Sequence, residues 1–388
     1  MPKIVRITTI PVSMMVLLKG QMKFMQQNGF DIVMISSDGK EVKQLIEQES
    51  CSHIAIKLTR KITPFTDLIS LFRLVKILHS IKPDIVHSHT PKAGLIAMWA
   101  AKIAGVKIRL HTIAGLPWVE TKGIKRKMLI GVEKLTTMAA TSVFPNSYTQ
   151  RDFLISNGIA QNKMKVIGNG TSNGINLNHF VRNTDINAKA KNIRQQLGVD
   201  ENDWLWIFVG RIVKDKGISE LIEAFDDIFK LFPRDKLLLV GEQETDLDPL
   251  DQKHIDILKN HSAMISCGFQ NDIRPYLAAS QVLVFPSYRE GFPNVPMQAG
   301  LMGCALILSD INGCNELVRH KEDGWLVTVK NKASLFKAML EARNNRTLMQ
   351  QFANTIQAKI KEKYDQANFW NSLLNEYHQQ LNNKGKIN

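Results

Sequence analysis

Trp204-Leu205-Trp206-Ile207-Phe208-Val209 is an unbroken apolar run that stops at Gly210. It passes into the basic loop Arg211-Ile212-Val213-Lys214-Asp215-Lys216 and resumes after Gly217 as an amphipathic stretch, Ile218–Phe229. Six apolar residues without alternation make a strand buried on both faces, and an amphipathic helix directly after it supplies one of the covers. The fold class follows as α/β, built on parallel strands with helices on both sides of the sheet.

The same alternation continues away from this stretch in both directions. Downstream, strands are expected at Lys236–Val240, Met264–Cys267, Val282–Phe285, Ala305–Ser309 and Gly324–Val327, with helices at Ile273–Ala279, Val295–Met302 and Ser334–Arg343. Upstream, strands are expected at Lys3–Thr8, Asp31–Ser36, His53–Lys57, Asp84–His87, Lys107–His111, Ser142–Pro145 and Lys165–Ile167. The helices between them are Leu17–Asn28, Phe65–Ile81, Ala93–Ala104 and Gly123–Ala139. Two successive βα series imply two Rossmann-like, doubly wound domains with a cleft between them. The Gly-, Asn- and Ser-rich stretch Gly168–Asn176 reads as the linker. The expected division is 1–172, 173–364 and a last helix within 365–388 that packs back across the junction, with Trp370 and Tyr377 on one face.

A chain of 388 residues is long for one core at about 100–200 residues per domain. Its 44% hydrophobic and 22% charged content is that of a globular protein. No apolar run approaches the roughly 18 residues of a membrane span, and Met1–Ile10 reads as a strand where a signal peptide would stand. Cys51, Cys267, Cys304 and Cys314 form no CxxC pair, so reduced thiols in a cytoplasmic protein are expected. Residues 1–180 hold 24 Lys and Arg against 10 Asp and Glu, whereas residues 181–388 hold 26 of each. The whole excess of +14 therefore sits in the first half. That asymmetry points to an anionic partner, a membrane surface or a polyphosphate. No RNP-like aromatic pattern, zinc finger or zipper accompanies it, so nucleic acid is not expected.

Chemistry is expected where strands give way to helices. Arg211 and Lys216 stand in the loop after Gly210, a natural anion site at a strand's end, although such a loop also serves as plain solvated surface. Arg289-Glu290-Gly291-Phe292-Pro293-Asn294-Val295-Pro296-Met297-Gln298-Ala299 follows the strand Val282–Phe285 and puts a carboxylate at the sheet edge before a helix. Glu290 suits either hydrogen bonding to sugar hydroxyls or a capping role.

Together, Gly-Arg-x4-Lys-Gly and Glu-Gly-Phe-x5-Gln-Ala resemble the signature pair of retaining glycosyltransferases of family 4, on the GT-B fold. Further matches are Pro83–His89, Leu110-His111-Thr112, Val143–Ser147, Val166–Phe180, Leu239-Val240-Gly241, Gly268 and Ser309–Glu316. The segments His89–Gly94, His111–Pro117 and Gly168–Gly174 are similar to bacterial enzymes that build capsule, O-antigen or lipid-linked saccharides.

The resemblance implies that the second domain binds a nucleotide-sugar, a UDP-N-acetylhexosamine by subtype, and that the first holds a lipid-linked or polysaccharide acceptor. Arg211 and Lys216 would neutralise the leaving diphosphate, Glu290 would hold the transferred sugar, and His111, at a strand end, would lie beside that sugar. Gly210, Gly241, Gly268, Gly291, Phe292, Asn294 and Val295 would line the donor site, with His89 and Lys92 on the acceptor side. Gln298 departs from the family's usual Glu; an amide still hydrogen-bonds a ribose diol. The loop Ile10–Val16 lacks the family's paired glycines. Transfer would run without a protein nucleophile, on positioning and electrostatics, and without cofactor or metal, since Asp246-Leu247-Asp248 stands in an irregular loop. The expected location is the cytoplasm, peripheral at the inner face of the membrane. Lys122–Ala139 would dock there, with Ile124, Met128, Val132, Leu135 and Ala139 on one helical face and five cations around them. A 2-epimerase-like enzyme of the same fold, or a basic membrane- or nucleic-acid-binding module with a vestigial sugar site, would share parts of this pattern.

Overall fold

The computed structural model describes residues 1–59, 63–200, 202–244 and 248–384; Asp246 and Leu247 lie outside them. The first βα series runs β1 (Lys3–Ile7), α1 (Pro11–Leu17), α2 (Gln21–Gln27), β2 (Asp31–Ser36), α3 (Val42–Glu49), β3 (Ser52–Ala55), α4 (Pro64–Ile81), β4 (Ile85–His89), α5 (Pro91–Ile103), β5 (Ile108–Ile113), α6 (Gly123–Ala139), β6 (Ser142–Pro145) and α7 (Tyr148–Ser156). The second runs α8 (Thr184–Gln196), β7 (Leu205–Val209), α9 (Ile218–Leu231), β8 (Lys236–Val240), α10 (Gln252–Asn260), β9 (Met264–Gly268), α11 (Arg274–Ala279), β10 (Val282–Phe285), α12 (Asn294–Leu301), β11 (Ala305–Ser309), α13 (Cys314–Leu317), β12 (Trp325–Val327), α14 (Lys332–Asn344) and α15 (Arg346–Lys363), and the chain closes with α16 (Gln366–Lys384).

Two compact units result. Unit 1 is Met1–Gly174 together with Gln366–Asn388, and unit 2 is Ile175–Asp365. Each holds a six-stranded parallel sheet, ordered β3-β2-β1-β4-β5-β6 in unit 1 and β12-β11-β10-β7-β8-β9 in unit 2. These are the same doubly wound order, with the direction of winding reversing between β1 and β4 and between β7 and β10. Ligands of open α/β sheets bind beyond the strand ends at that reversal.

In unit 1, α4, α5 and α6 cover one face of the sheet, whose core includes Val5, Val86, Leu74, Ala97 and Trp118. The other face packs Ile4, Met22, Phe30 and Leu110 against Phe369, Leu373 and Tyr377 of α16. Beneath that helix the Arg6 guanidinium is buried. Its Nη1 donates to the Tyr377 hydroxyl at 2.5 Å, its Nη2 donates to Gln21, and the Tyr377 hydroxyl lies 2.7 Å from His87 Nδ1.

Several expected elements differ. The expected helix Leu17–Asn28 starts only at Gln21; Leu17 is the last residue of α1, and Gly20, at φ +80, turns the chain between α1 and α2. Ile10–Val16 is mostly helix, started by Pro11 at its first position, where a missing N–H costs nothing. Lys165–Ile167 forms no strand. The segment touches β6 through one bridge at Met164, and the left-handed Gly168 and Gly170 then turn it away. The stripe on α6 faces outward: Ile124, Met128 and Leu135 are exposed, Val132 is half-buried and Ala139 is buried.

Candidate active site

The reversal point of unit 2 lies between the ends of β7 and β10, and both sequence motifs leave from it. Three strands end side by side in glycine: Gly210 follows β7, Gly241 follows β8, and Gly268 ends β9. The Gly210 N–H donates to the Val240 carbonyl and the Gly241 N–H to the Gly268 carbonyl, both at 2.9 Å. Gly241 has φ +146, and a Cβ there would lie 1.9 Å from the Gly210 carbonyl oxygen. Only glycine lets these two loops touch.

The charged groups are arranged around that contact. Arg211 pairs with Glu244 and is half exposed. Lys216, the last residue of a short 3-10 turn (Lys214–Lys216), sets its ammonium 2.5 Å from Glu290 Oε1, which also accepts from the Ser287 hydroxyl at 2.9 Å. Asp215 joins the two motifs. Its N–H donates to Asp248 Oδ2 at 2.6 Å, its carbonyl accepts the Tyr288 N–H at 2.8 Å, and its carboxylate holds Arg289 at 2.7 Å. The Tyr288 hydroxyl in turn donates to Glu220 on α9.

From Glu290 the chain enters α12. Gly291 is buried, and the Phe292 ring packs inward on Tyr364, with ring centroids 5.0 Å apart, so Phe292 supports the loop from below. Asn294 and Val295 open the helix, and Asn294 and Gln298 share one face of it at a four-residue spacing. The Asn294 Oδ1 is buried without a hydrogen-bond partner, and the half-buried Gln298 amide has none among the described residues. A buried polar atom left unpaired is costly unless water or ligand meets it. Two cations, an oriented carboxylate, a helix start and two unpaired amides suit an anionic, hydroxyl-rich ligand.

The residues expected on unit 1 fall differently. β5 does not end at His111: pairing with β6 carries it to Ile113. The imidazole is buried under Gly94 of α5, bonded to the Ser88 hydroxyl at 2.9 Å and 3.9 Å from Glu133. It is a buried side chain held between β4 and α6. Burial lowers its pKa to about 4 and raises that of Glu133 to about 7. His89 ends β4, buried, with its ring tilted against that of His87 and the centroids 4.3 Å apart. Burial pushes its pKa well below the usual range, and its Nε2 has no partner. Lys92, expected to meet the acceptor, spends its ammonium on Asp67 at 2.7 Å, Thr63 at 2.8 Å and Thr59 at 3.1 Å, and so clamps the start of α4. At the reversal point of this sheet, Thr90 adopts φ +74 and bonds Thr9 through the two hydroxyls at 2.8 Å. A β-branched residue in that region is strained.

Sequence reasoning missed Asp215, Ser287 and Asp248, which orient the named residues, and it missed the Thr9–Thr90 pair. Asp215 and Ser287 lie within or just before the quoted motifs, so position alone could have drawn attention to them. Asp248 and Thr90 lie in stretches quoted for other reasons, and nothing local marks the contacts they make. Among the described residues, no three His, Cys, Asp or Glu side chains gather as a metal site.

Residues 189–359 match the family model "Glycosyl transferases group 1", and residues 9–147 match "Glycosyl transferase 4-like". A capsular polysaccharide biosynthesis glycosyltransferase of Staphylococcus aureus is 32% identical over 93% of each chain. A UDP-Gal:alpha-D-GlcNAc-diphosphoundecaprenol alpha-1,3-galactosyltransferase of Escherichia coli is 27% identical over 82% of this chain and 81% of its own. Among solved structures, the Anabaena HepE protein in complex with UDP superposes with TM-score 0.79 at 20% identity, covering 98% of this chain and 100% of that one. A sucrose-phosphate synthase of Thermosynechococcus elongatus gives 0.79 at 19%, covering 98% and 99%. The two-sheet architecture is thus the GT-B fold. Matched by two glycosyltransferase family models and by a relative aligned along nearly its whole length, the chain belongs to the group 1 glycosyltransferases and is a glycosyltransferase.

Proposed function

We propose that this enzyme moves a sugar, an N-acetylhexosamine, from a UDP-sugar to a lipid-linked saccharide in the synthesis of a surface polysaccharide. The observation that carries the reading is the joined pair of motifs at the reversal point of unit 2, where Arg211 and the Lys216–Glu290 pair border the start of α12. HepE was solved with UDP, and the Escherichia coli relative is named for a UDP-sugar donor and a diphosphoundecaprenol acceptor. Those names support the donor and acceptor classes, and the alpha linkage in the second supports retention.

In this reading Arg211 and Lys216 face the diphosphate. Glu290 holds one of the three N–H groups of Lys216 and leaves two for phosphate oxygens. Fixed cations placed where leaving-group charge develops lower the barrier without reorganising. Glu290, oriented by Ser287, accepts hydrogen bonds from hydroxyls of the transferred sugar, and Gln298 meets the ribose diol from the same helix as Asn294. Transfer needs no metal, since the two cations do its electrostatic work. The enzyme works at the inner face of the membrane, where its acceptor resides.

The test combines a thermal-shift screen of nucleotide-sugars with turnover on a polyprenyl-diphosphate saccharide. Arg211→Ala and Lys216→Ala should each lower turnover by a factor on the order of 100 while leaving the fold intact. Near-normal turnover in both variants overturns the assignment, and nucleotide release that needs no acceptor replaces it with an epimerase-like reaction.

A further inference from the structure

The helix layer on one face of the unit 1 sheet presents apolar side chains outward. On α4, Phe65 is 87% exposed, Leu68 54%, Ile69 69% and Phe72 55%. They recur at the first, fourth, fifth and eighth positions, which is one helical stripe. This stripe is turned away from the core, which takes Ser70, Leu74 and Leu78 from the same helix. On α6, Ile124 is 87% exposed, with Met128, Leu135 and Met138 exposed along the same helix. Between them lies α5, packed against both. Its Trp99 indole donates to the Leu135 carbonyl at 3.1 Å, and the Lys102 ammonium sits 4.9 Å from the Trp99 ring. Three neighbouring helices thus share one surface layer with apolar side chains along it.

The charges on this layer have one sign. The three helices contain only two acids, Asp67 and Glu133. Asp67 is tied to Lys92, and Glu133 is buried toward His111. Arg73, Lys76, Lys102, Lys125, Arg126, Lys127 and Lys134 are all exposed. Exposed apolar groups framed by cations match an anionic lipid surface, where apolar insertion and charge attraction add. A second copy of the chain fits poorly, because it would bring two faces of like charge together.

We propose that α4, α5 and α6 form a membrane-docking face, with Phe65, Leu68, Ile69 and Phe72 of α4 as its inserting stripe and the cations of α6 as its anchor to acidic headgroups. The occupant is the anionic bilayer itself. The proposal rests on the reading above that the acceptor is lipid-linked, and it adds which surface meets the lipid. The Lys92 clamp acquires a purpose here: it fixes the start of α4, from which the stripe projects.

Sedimentation of the full chain with vesicles tests this, using phosphatidylcholine alone or with about a third phosphatidylglycerol, at about 0.1 and 0.5 M salt. The parent should bind the anionic vesicles, and high salt should release it. Phe65→Ser/Ile69→Ser should weaken binding at least about tenfold, and Lys125→Glu/Lys127→Glu should abolish the preference for anionic vesicles. All four positions are exposed, so thermal unfolding should match the parent. Equal binding to neutral and anionic vesicles, no binding to either, or parent-like binding by both variants overturns the proposal. So does a dimer in light scattering that Phe65→Ser/Ile69→Ser dissolves without vesicles. Turnover on a short-chain, water-soluble acceptor without vesicles should be unchanged in Phe65→Ser/Ile69→Ser. Failure of that turnover in the parent would count against the sugar-transfer reading and leave vesicle binding standing on its own.

Discussion

The buried pair formed by Glu133 and His111 gives a sharp test of the unit 1 core. With Nε2 and Oε1 3.9 Å apart, the fold holds a neutral carboxylic acid beside a neutral imidazole, while the unfolded chain near about pH 5.5 holds carboxylate and imidazolium. Each state then binds one proton, so the pair as a unit contributes little pH dependence through the mildly acidic range. Single variants unmask the halves. The imidazole titrates at 6.5 unfolded and about 4 folded. The unfolded chain therefore binds more protons between those values, and stability from this group is lost as pH falls through the window. The Glu133 carboxyl titrates at 4.5 unfolded and about 7 folded. Here the fold binds more protons, and stability falls as pH rises from one value to the other. Each displacement, at about 1.4 kcal/mol per pH unit, is on the order of 3 kcal/mol. Relative to the parent, Glu133→Gln should gain about that much stability on going from about pH 4.5 to 7. His111→Asn should lose a similar amount relative to the parent from about pH 4 to 6.5. His87 and His89, also depressed by burial, add the same slope to all three proteins and cancel in the differences. Urea unfolding followed by circular dichroism across about pH 4–8 reads these slopes. Parallel profiles for parent and both variants would refute the neutral pair.

Three other perturbations are as direct. Gln298→Glu should preserve donor binding, whereas Gln298→Ala should weaken it by about 1–2 kcal/mol, as read by calorimetric titration of the nucleotide-sugar. Tyr377→Phe strips one bond from the buried Arg6 guanidinium and one from His87, and should cost about 2–3 kcal/mol in urea unfolding. Gly241→Ala drives a methyl group into the Gly210 carbonyl. It should lower stability by at least about 2 kcal/mol and reduce turnover with it, measured by melting and initial rates.

The fold was readable where burial alone decides structure. Runs such as Lys236–Val240 and Ala305–Ser309 are apolar on both faces, and no other element accepts them in so short a length. A short, mostly polar element such as α10 escapes, because His254 is its one buried residue among the described ones, whereas the buried stripe Met349, Phe352, Ala353, Ile356 and Ile360 of α15 does recur at helical spacing. At the site, Arg211, Lys216 and Glu290 were legible because a strand end, a glycine and a charge stand within a few residues of each other. That His111 stands inside β5 and not at its end is not legible locally, because the end of β5 is set by its pairing with Val143 to Pro145, some thirty residues on. The ion pair of Lys92 is hidden from the sequence for a similar reason: its partner Asp67 lies on another helix. The α6 stripe was visible as amphipathic, but which way it faces depends on how the helix sits on its sheet.

Unit 1 is encoded in two pieces, residues 1–174 and 366–388, with all of unit 2 between them. A ribosome adding roughly 5–20 residues per second needs about 10–40 s to make the intervening segment. Through that interval the nascent first unit has its sheet and most of its helices but not α16. Phe30, Met22 and Leu110 lack the cover of Phe369, Leu373 and Tyr377, and Arg6 lacks the hydroxyl that later holds it. Unit 2 is contiguous in sequence and can close before α16 is made; unit 1 cannot. Its final seal waits for α16, which is made only after all of unit 2, so a message cut short before α16 would yield a finished second unit joined to an open first one, exposing an apolar face to chaperones and proteases.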